Sequence, residues 1–371
     1  MAPDEASWTV GIEEEYQIID PVMGELCPQS DQLLRQVQPA LGQNVQPKLY
    51  QAQIETASRV SNTLADIRAE LVRLRRALVA AAANDGKRIG AAGTHPFSRW
   101  SEQPITPKPR YQGIAQTYRQ LADELIIFGC HVHVGLDDRD GAIQVLNRVR
   151  PWLAPLLALA ANSPFWQGQD TGYASYRTEL WSRFPMAGPP CLFTSRAEYD
   201  TLIRTLVATG SIEDASKIYW DVRLPERFAT IEFRVTDVCL TVDEAVMVTG
   251  LVRALARTCY EQACRNELFS AVRPELLRAA HWRAARFGLD GDLIDVVAEA
   301  SVPAHTLIKT FLAFVRPALE ASHDWDEVAS LVHDTLQHGN GATRQRRAYQ
   351  QAGRIEDVVD LILAETAKGL T

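Results

Sequence analysis

The stretch WTVGIEEEYQIID, residues 8–20, sets three consecutive glutamates inside a run of β-branched and aromatic residues and stops at Asp20-Pro21, a turn signal. A strand accommodates it. Side chains alternate faces along a strand, so Glu13 and Glu15 share one face about 7 Å apart while Glu14 points to the other. Two carboxylates on one face repel and raise each other's pKa. A divalent cation is the usual remedy, and oxygen ligands of this kind suit Mg²⁺ or Mn²⁺ rather than zinc. An edge strand with a solvated acidic face would also account for this segment. For Glu14, packing or surface charge on the opposite face is expected.

Three more segments repeat the pattern. KLYQAQIETASRV, residues 48–60, alternates and holds Glu55 between Ile54 and Thr56. In FGCHVHVG, His131 and His133 share a face opposite Cys130, Val132 and Val134. In ATIEFRVTD, Glu232 and Arg234 share a face opposite Ile231, Phe233 and Val235. An exposed, salt-bridged face explains any one of these strands. Four strands each offering acids, imidazoles or arginine on one face argue against it. The H-x-H pair by itself also fits a metal-dependent hydrolase or two packed histidines.

Cations complement the acids. GYASYRTELWSRFP supplies Arg177 and Arg183, YWDVRLPERF supplies Arg223 and Arg227, and HGNGATRQRRAY supplies Asn340, Arg344, Arg346 and Arg347. Gly-Asn-Gly before a basic helical turn could present backbone N–H groups and arginines to phosphate. A helix cap followed by surface arginines is the other reading. No GxxxxGK[ST] occurs and no G-x-G-x-x-G follows a strand, so neither a P-loop nor a dinucleotide fold would hold a nucleotide here. Oxygen ligands for several Mg²⁺ ions ringed by arginines suit ATP chemistry, in which metals bridge phosphate oxygens and arginine stabilises the transferred group.

Helical spacing alternates with the strands. A helix is expected over residues 61–84, capped by Ser61 or Asn62, and others over 111–123, 140–161 and 243–264; further strands are expected over 87–95 and 124–136. Residues 163–191 read as an elaborated loop over a site, and residues 274–371 as mainly helical. The expected fold is α+β, a mostly antiparallel sheet with flanking helices in one domain, residues 1–371. The net charge of −8 offers no overall positive field for nucleic acid or anionic lipid, and RLRRAL at 73–78 reads as a solvated helix face. The most apolar helical segment, residues 151–162, is too short for a membrane span of about 20 residues. The first ten residues lack an apolar signal core, and the six cysteines form no C-x-x-C, so a soluble cytoplasmic protein with reduced thiols is expected. Symmetric homo-oligomers are common, so a homodimer or larger assembly is the prior.

Taken together, GIEEEYQIIDP, QIET, GTHPF, GCHVHVG, SYRTELWSRFP, YWDVR with TIEFRVTD, and HGNGATRQR occur in an order, across about residues 8–350, that resembles the bacterial carboxylate–amine ligase family. That family is also called glutamate–cysteine ligase type 2 and is distantly related to glutamine synthetase. The resemblance implies an antiparallel sheet curved into a funnel, with ATP and Mg²⁺ (or Mn²⁺) inside. It implies amide formation through an acyl phosphate, typically on the γ-carboxylate of glutamate, with a small-molecule amine as acceptor. It implies metal ligation by Glu13, Glu15, Glu55, His131 and Glu232, and nucleotide contacts from His131, His133, Arg234, Asn340, Arg344 and Arg346. Arg234 and Arg177 would be the catalytic cations. A nucleotide-binding relative without turnover is the non-enzymatic alternative.

Overall fold

The computed structural model describes residues 8–370; Thr371 and the acidic start, residues 1–7, on which the expectation about a signal segment mostly rests, lie outside the described residues. Seven strands form the main sheet: β1 (Val10–Ile19), β2 (Val45–Pro47), β3 (Gln53–Ala57), β4 (Arg88–Gly90), β5 (Gly129–Gly135), β6 (Val222–Arg223) and β7 (Thr230–Asp237). Their order is β6-β7-β5-β1-β3-β2, with β4 also on β1, and every pairing is antiparallel. This is the expected α+β arrangement, with the sheet open.

Period-two alternation decides what each face does. Ile12, Val132, Val134, Ile231, Phe233 and Val235 are buried in one cluster with Leu146, Leu157, Val246 and Leu251 from the helices Arg139–Val149, Leu153–Ala160 and Val242–Cys264. The C-terminal helices Ala304–Ala321 and Trp325–His338 pack on Val242–Cys264 in turn. The opposite face of the central strands carries the charged residues. Among the described residues no helix is long and apolar enough to cross a membrane.

Element limits depart from the sequence reading for identifiable reasons. Strand β3 begins only at Gln53, because Gln53 N–H donates to Tyr50 O and the preceding residues turn. The helix Leu64–Asn84 is capped by Thr63, whose hydroxyl accepts from Asp66 N–H. Ser61 cannot serve, since its backbone is paired with Val10 on β1. The helix expected over 140–161 breaks at Arg150–Trp152, where Pro151 brings no N–H. Beyond Pro274 the chain is helical apart from a hairpin, Asp292–Asp295 with Ala300–Pro303.

The basic run at 73–78 is not simply a solvated face. Arg75 is 0% exposed and reaches the core side of β1, where Glu14 is 1% exposed. Its Nε donates to Glu14 Oε2 at 3.1 Å, and its remaining N–H groups reach Glu14 Oε1 and the carbonyls of Cys239 and Leu240. Tyr16 OH also donates to Glu14. Glu14 is therefore a packed charge, half of a fully buried ion pair that ties the first strand to the helix behind it.

Candidate active site

Strand register brings the polar side chains together. Glu15 lies directly opposite Glu55, Glu13 opposite His131, and His133 opposite Glu232, which in turn faces Arg223. The result is a diagonal stripe across five neighbouring strands, with Glu13 near its centre. His131 Nδ1 lies 3.2 Å from Glu13 Oε2, and His133 Nε2 lies 3.5 Å from Glu13 Oε1. The H-x-H pair is thus not a separate metal pair; both imidazoles turn onto one carboxylate.

Two groups of ligand atoms fall within 4.8 Å of one another: Glu13, Glu55 and His131, and Glu13, His133 and Glu232. The carboxylate oxygens of both groups suit Mg²⁺ or Mn²⁺, and the imidazole nitrogens are the softer donors of the set. Burial disfavours the charge on Glu13, but the hydrogen bond to His131 and the nearby imidazole of His133 outweigh it and hold its carboxyl well below the usual range. Glu15 is likewise buried, and the charge of Lys48 brings it down to about 2. Glu55 is pushed up to about 7: burial and repulsion from Glu13 and Glu15 together exceed what Lys48 returns. Burial, with Arg234 nearby, lowers His131 to about 4, which leaves its ring neutral at pH 7 and able to ligate.

Guanidinium groups line the same cleft. A bulge lies between Phe233 and Thr236 on β7, and Arg234 within it contacts Glu232 and lies 5.8 Å from the centre of the Trp181 ring. Arg177 comes from the short helix Tyr176–Ser182, whose first turn is capped by Ser175. Its Nη1 is 3.8 Å from the buried Asp237, which also accepts from Ser163 and Ser175 hydroxyls. Arg177 passes so close to Gly129 that a Cβ there would lie 2.4 Å from Nη2. The Gly129 N–H donates to Glu15 Oε2 at 2.7 Å. Gly129→Ala is therefore expected to displace Arg177 and lower turnover by about 10²-fold, the usual cost of misplacing such a group by about 1 Å. Steady-state kinetics with a thermal melt would check it; an unchanged kcat would remove Arg177 from its proposed role.

On either side of Glu13 the cleft opens into two cavities. One, of about 310 Å³, is walled by Tyr111, Trp181, Phe184 and Tyr219 as well as by Glu15, Lys48, Glu55, Arg177 and Arg234. The other, of about 720 Å³, is rich in arginine, with Arg139, Arg196, Arg204 and Arg227 besides His133 and Glu232. Glu13, Arg110 and Arg223 border both. These sizes suit small-molecule ligands.

The sequence-predicted residues Glu13, Glu15, Glu55, His131, His133, Glu232, Arg234 and Arg177 thus meet in one place. Asn340, Arg344 and Arg346 do not line either cavity. Asn340 caps the helix Gly341–Ala352 by accepting from Thr343 N–H, and its amide donates to Ala158 O. Ala342 N–H donates to Ala161 O, so the helix start is docked on the protein itself. Arg344 is held by Glu244 and Glu365, and Arg346 by Asp170. The helix-cap reading of this segment prevails because Thr343 N–H, Ala342 N–H and the guanidinium ends of Arg344 and Arg346 already have protein partners. Asn340→Ala is expected to cost about 1 kcal/mol in denaturant unfolding while leaving the KM for ATP unchanged. A raised KM without a stability loss would reverse this assignment.

Sequence reasoning missed Lys48, Gln46, Trp181 and Tyr111. Lys48 opens the alternating segment 48–60, yet it stands in the turn before β3, where its side chain leaves the alternation and turns to Glu15 and Glu55.

A family profile described as glutamate-cysteine ligase family 2 matches residues 9–361. A relative from Rhodopirellula baltica, named "Putative glutamate--cysteine ligase 2", is 42% identical over 363 residues, covering 96% of each chain. One from Frankia alni, named "Putative glutamate--cysteine ligase 2-2", is 43% identical over 372 residues, covering 96% of this chain and 97% of its own. Among solved structures, glutamate–cysteine ligase from Francisella tularensis in complex with AMP superposes with a TM-score of 0.73 at 12% identity, over 98% of this chain and 90% of that one. A bifunctional glutathione synthetase from Pasteurella multocida gives 0.72 at 15% identity, over 98% of this chain and 53% of that one. The structural likeness establishes the shared fold, and the sequence match establishes that this chain belongs to glutamate-cysteine ligase family 2.

Proposed function

We infer that the protein is an ATP-dependent ligase joining a carboxylate to an amine, and we propose that the donor is the γ-carboxylate of glutamate. Family membership supports the class of reaction. The observation that carries the assignment of residues is the stripe of carboxylates, imidazoles and guanidiniums that converges on Glu13 between two cavities.

A carboxylate is a poor electrophile, and phosphorylation turns one of its oxygens into a leaving group. In the first step that oxygen bonds to the γ-phosphorus of ATP as the bond from phosphorus to the ADP oxygen breaks. In the second, the amine attacks the acyl carbon, the C–O bond to phosphate breaks, and the amine proton is lost. Glu13 with His131, His133 and Glu232 would hold Mg²⁺ or Mn²⁺, and Glu15 and Glu55 complete the acidic stripe. Such ions supply neutralisation of the phosphate oxygens. Arg234 and Arg177, which line the same cleft, would face the charge that spreads over the transferred phosphoryl group, where preorganised donors contribute most. The aromatic wall of Tyr111, Trp181, Phe184 and Tyr219 would keep water from an acyl phosphate.

The test is phosphate release from ATP with Mg²⁺, L-glutamate and a panel of amines that includes cysteine, ammonia and alkyl amines, with mass spectrometry of the products. Release that needs ATP, glutamate and one amine together, with the matching amide found, is the expected result. Release that needs neither glutamate nor amine would sink the reading.

A further inference from the structure

Glu15 and Glu55 are direct cross-strand partners, an arrangement in which like charges destabilise a sheet. Every oxygen of the pair is nevertheless engaged by the chain itself. Lys48 Nζ lies 2.9 Å from Glu15 Oε1 and 2.5 Å from Glu55 Oε2. Glu15 Oε2 accepts from Gly129 N–H, and Glu55 Oε1 from Gln46 Nε2. The ammonium thus bridges two carboxylates at the point a bridging cation would occupy. At Glu232 two guanidiniums, Arg223 and Arg234, share one carboxylate, but neither pairs with Glu13, so no fixed cation bridges Glu232 to Glu13 as Lys48 bridges Glu15 to Glu55. Glu13 is different again: no lysine or arginine lies within ion-pair distance of it among the described residues, and its contacts are the imidazoles of His131 and His133.

We propose that Lys48 is a built-in cation that takes the place of a divalent ion between Glu15 and Glu55, so that the divalent ions of this site are confined to the Glu13 side, with His131, His133 and Glu232. The inference rests on the reading of the stripe as a cation site. An ammonium is a compact point charge on a flexible stem, and it can fill an ion's place between two carboxylates without needing an octahedral set of oxygens. The turn that ends β2 and precedes β3 delivers Lys48 from the sheet edge to this point, on the same side as the aromatic cavity. The site then needs fewer divalent ions than its carboxylates would suggest, and part of its positive charge is covalently fixed.

The experiment counts bound Mn²⁺ by electron paramagnetic resonance on the intact protein, with a non-hydrolysable ATP analogue at saturation. Wild type, Lys48→Gln and Lys48→Arg are compared. Lys48→Gln is expected to bind one more Mn²⁺ per chain than wild type, and Lys48→Arg the wild-type number. A second readout is thermal: Mn²⁺ should raise the melting temperature of Lys48→Gln by more than that of wild type. Equal Mn²⁺ counts in wild type and Lys48→Gln overturn the inference alone. A Lys48→Gln protein that cannot be recovered folded even in Mn²⁺ also overturns it, because a divalent ion then does not substitute for the ammonium. No bound Mn²⁺ in wild type would overturn the cation site itself, and this inference with it.

Discussion

Glu13→Gln is expected to lower ATP-dependent, amine-dependent phosphate release by about 10³-fold, the upper end of what one electrostatic contact contributes in such sites. The reason is position. Glu13 is the carboxylate on which the proposed divalent ions depend and it touches both histidines, so replacing its charge weakens ion binding and the histidine contacts together. Glutamine has the same shape, and the side chain is 28% exposed, so the fold should survive the change. Stopped assays of phosphate release, paired with a denaturant melt, separate the two effects. A loss below about tenfold, with stability unchanged, would mean that the stripe is not the reaction centre. Arg234→Ala should show the same pattern by a different route: it removes charge from the phosphoryl side and leaves the cation count at Glu13 intact.

The largest effect on stability is expected at Arg75. Arg75→Ala would strand the Glu14 carboxylate in the core and free the carbonyls of Cys239 and Leu240 from their donors. Breaking a buried pair from one side costs about 3–5 kcal/mol. Against a total of about 5–15 kcal/mol for a protein of ordinary stability, that is a large share. Urea unfolding would measure it. The double variant Glu14→Leu, Arg75→Leu should be less destabilised than Arg75→Ala, because neither charge is then left alone. If Arg75→Ala costs under about 1 kcal/mol, water reaches Glu14 and the pair does not anchor β1 to its helix.

The two predictions show two different uses of one three-residue acidic run. Glu13 and Glu15 face the cleft and Glu14 faces the helices, and that division follows from strand geometry alone. It was legible in WTVGIEEEYQIID before any partner was known. The same is true of His131 with His133, and of Glu232 with Arg234, because alternation is a local property of an extended backbone.

Partnerships were not legible in that way. Glu14 meets Arg75 across 61 residues of chain, and RLRRAL gives no sign that its middle arginine is the one turned inward. HGNGATRQR contains the residue types that phosphate binding uses, yet Ala342 N–H is taken by Ala161 O and the guanidinium ends of Arg344 and Arg346 by Glu244, Glu365 and Asp170. Lys48 sits in a turn, where no periodicity assigns a side-chain direction, and still it reaches two of the site's carboxylates.

The sequence by itself determined the four central strands though not their limits, which face each carboxylate and imidazole takes, and the family to which the pattern belongs. Only the tertiary structure decided that Glu15 lies opposite Glu55, Glu13 opposite His131 and His133 opposite Glu232, and that Lys48 and Arg177 enter the same cleft. The physical reason is that facing is fixed by the two-residue repeat of one strand. Register and neighbours, by contrast, are set by pairing between strands that are far apart in sequence, through burial of their apolar faces against the helices behind them.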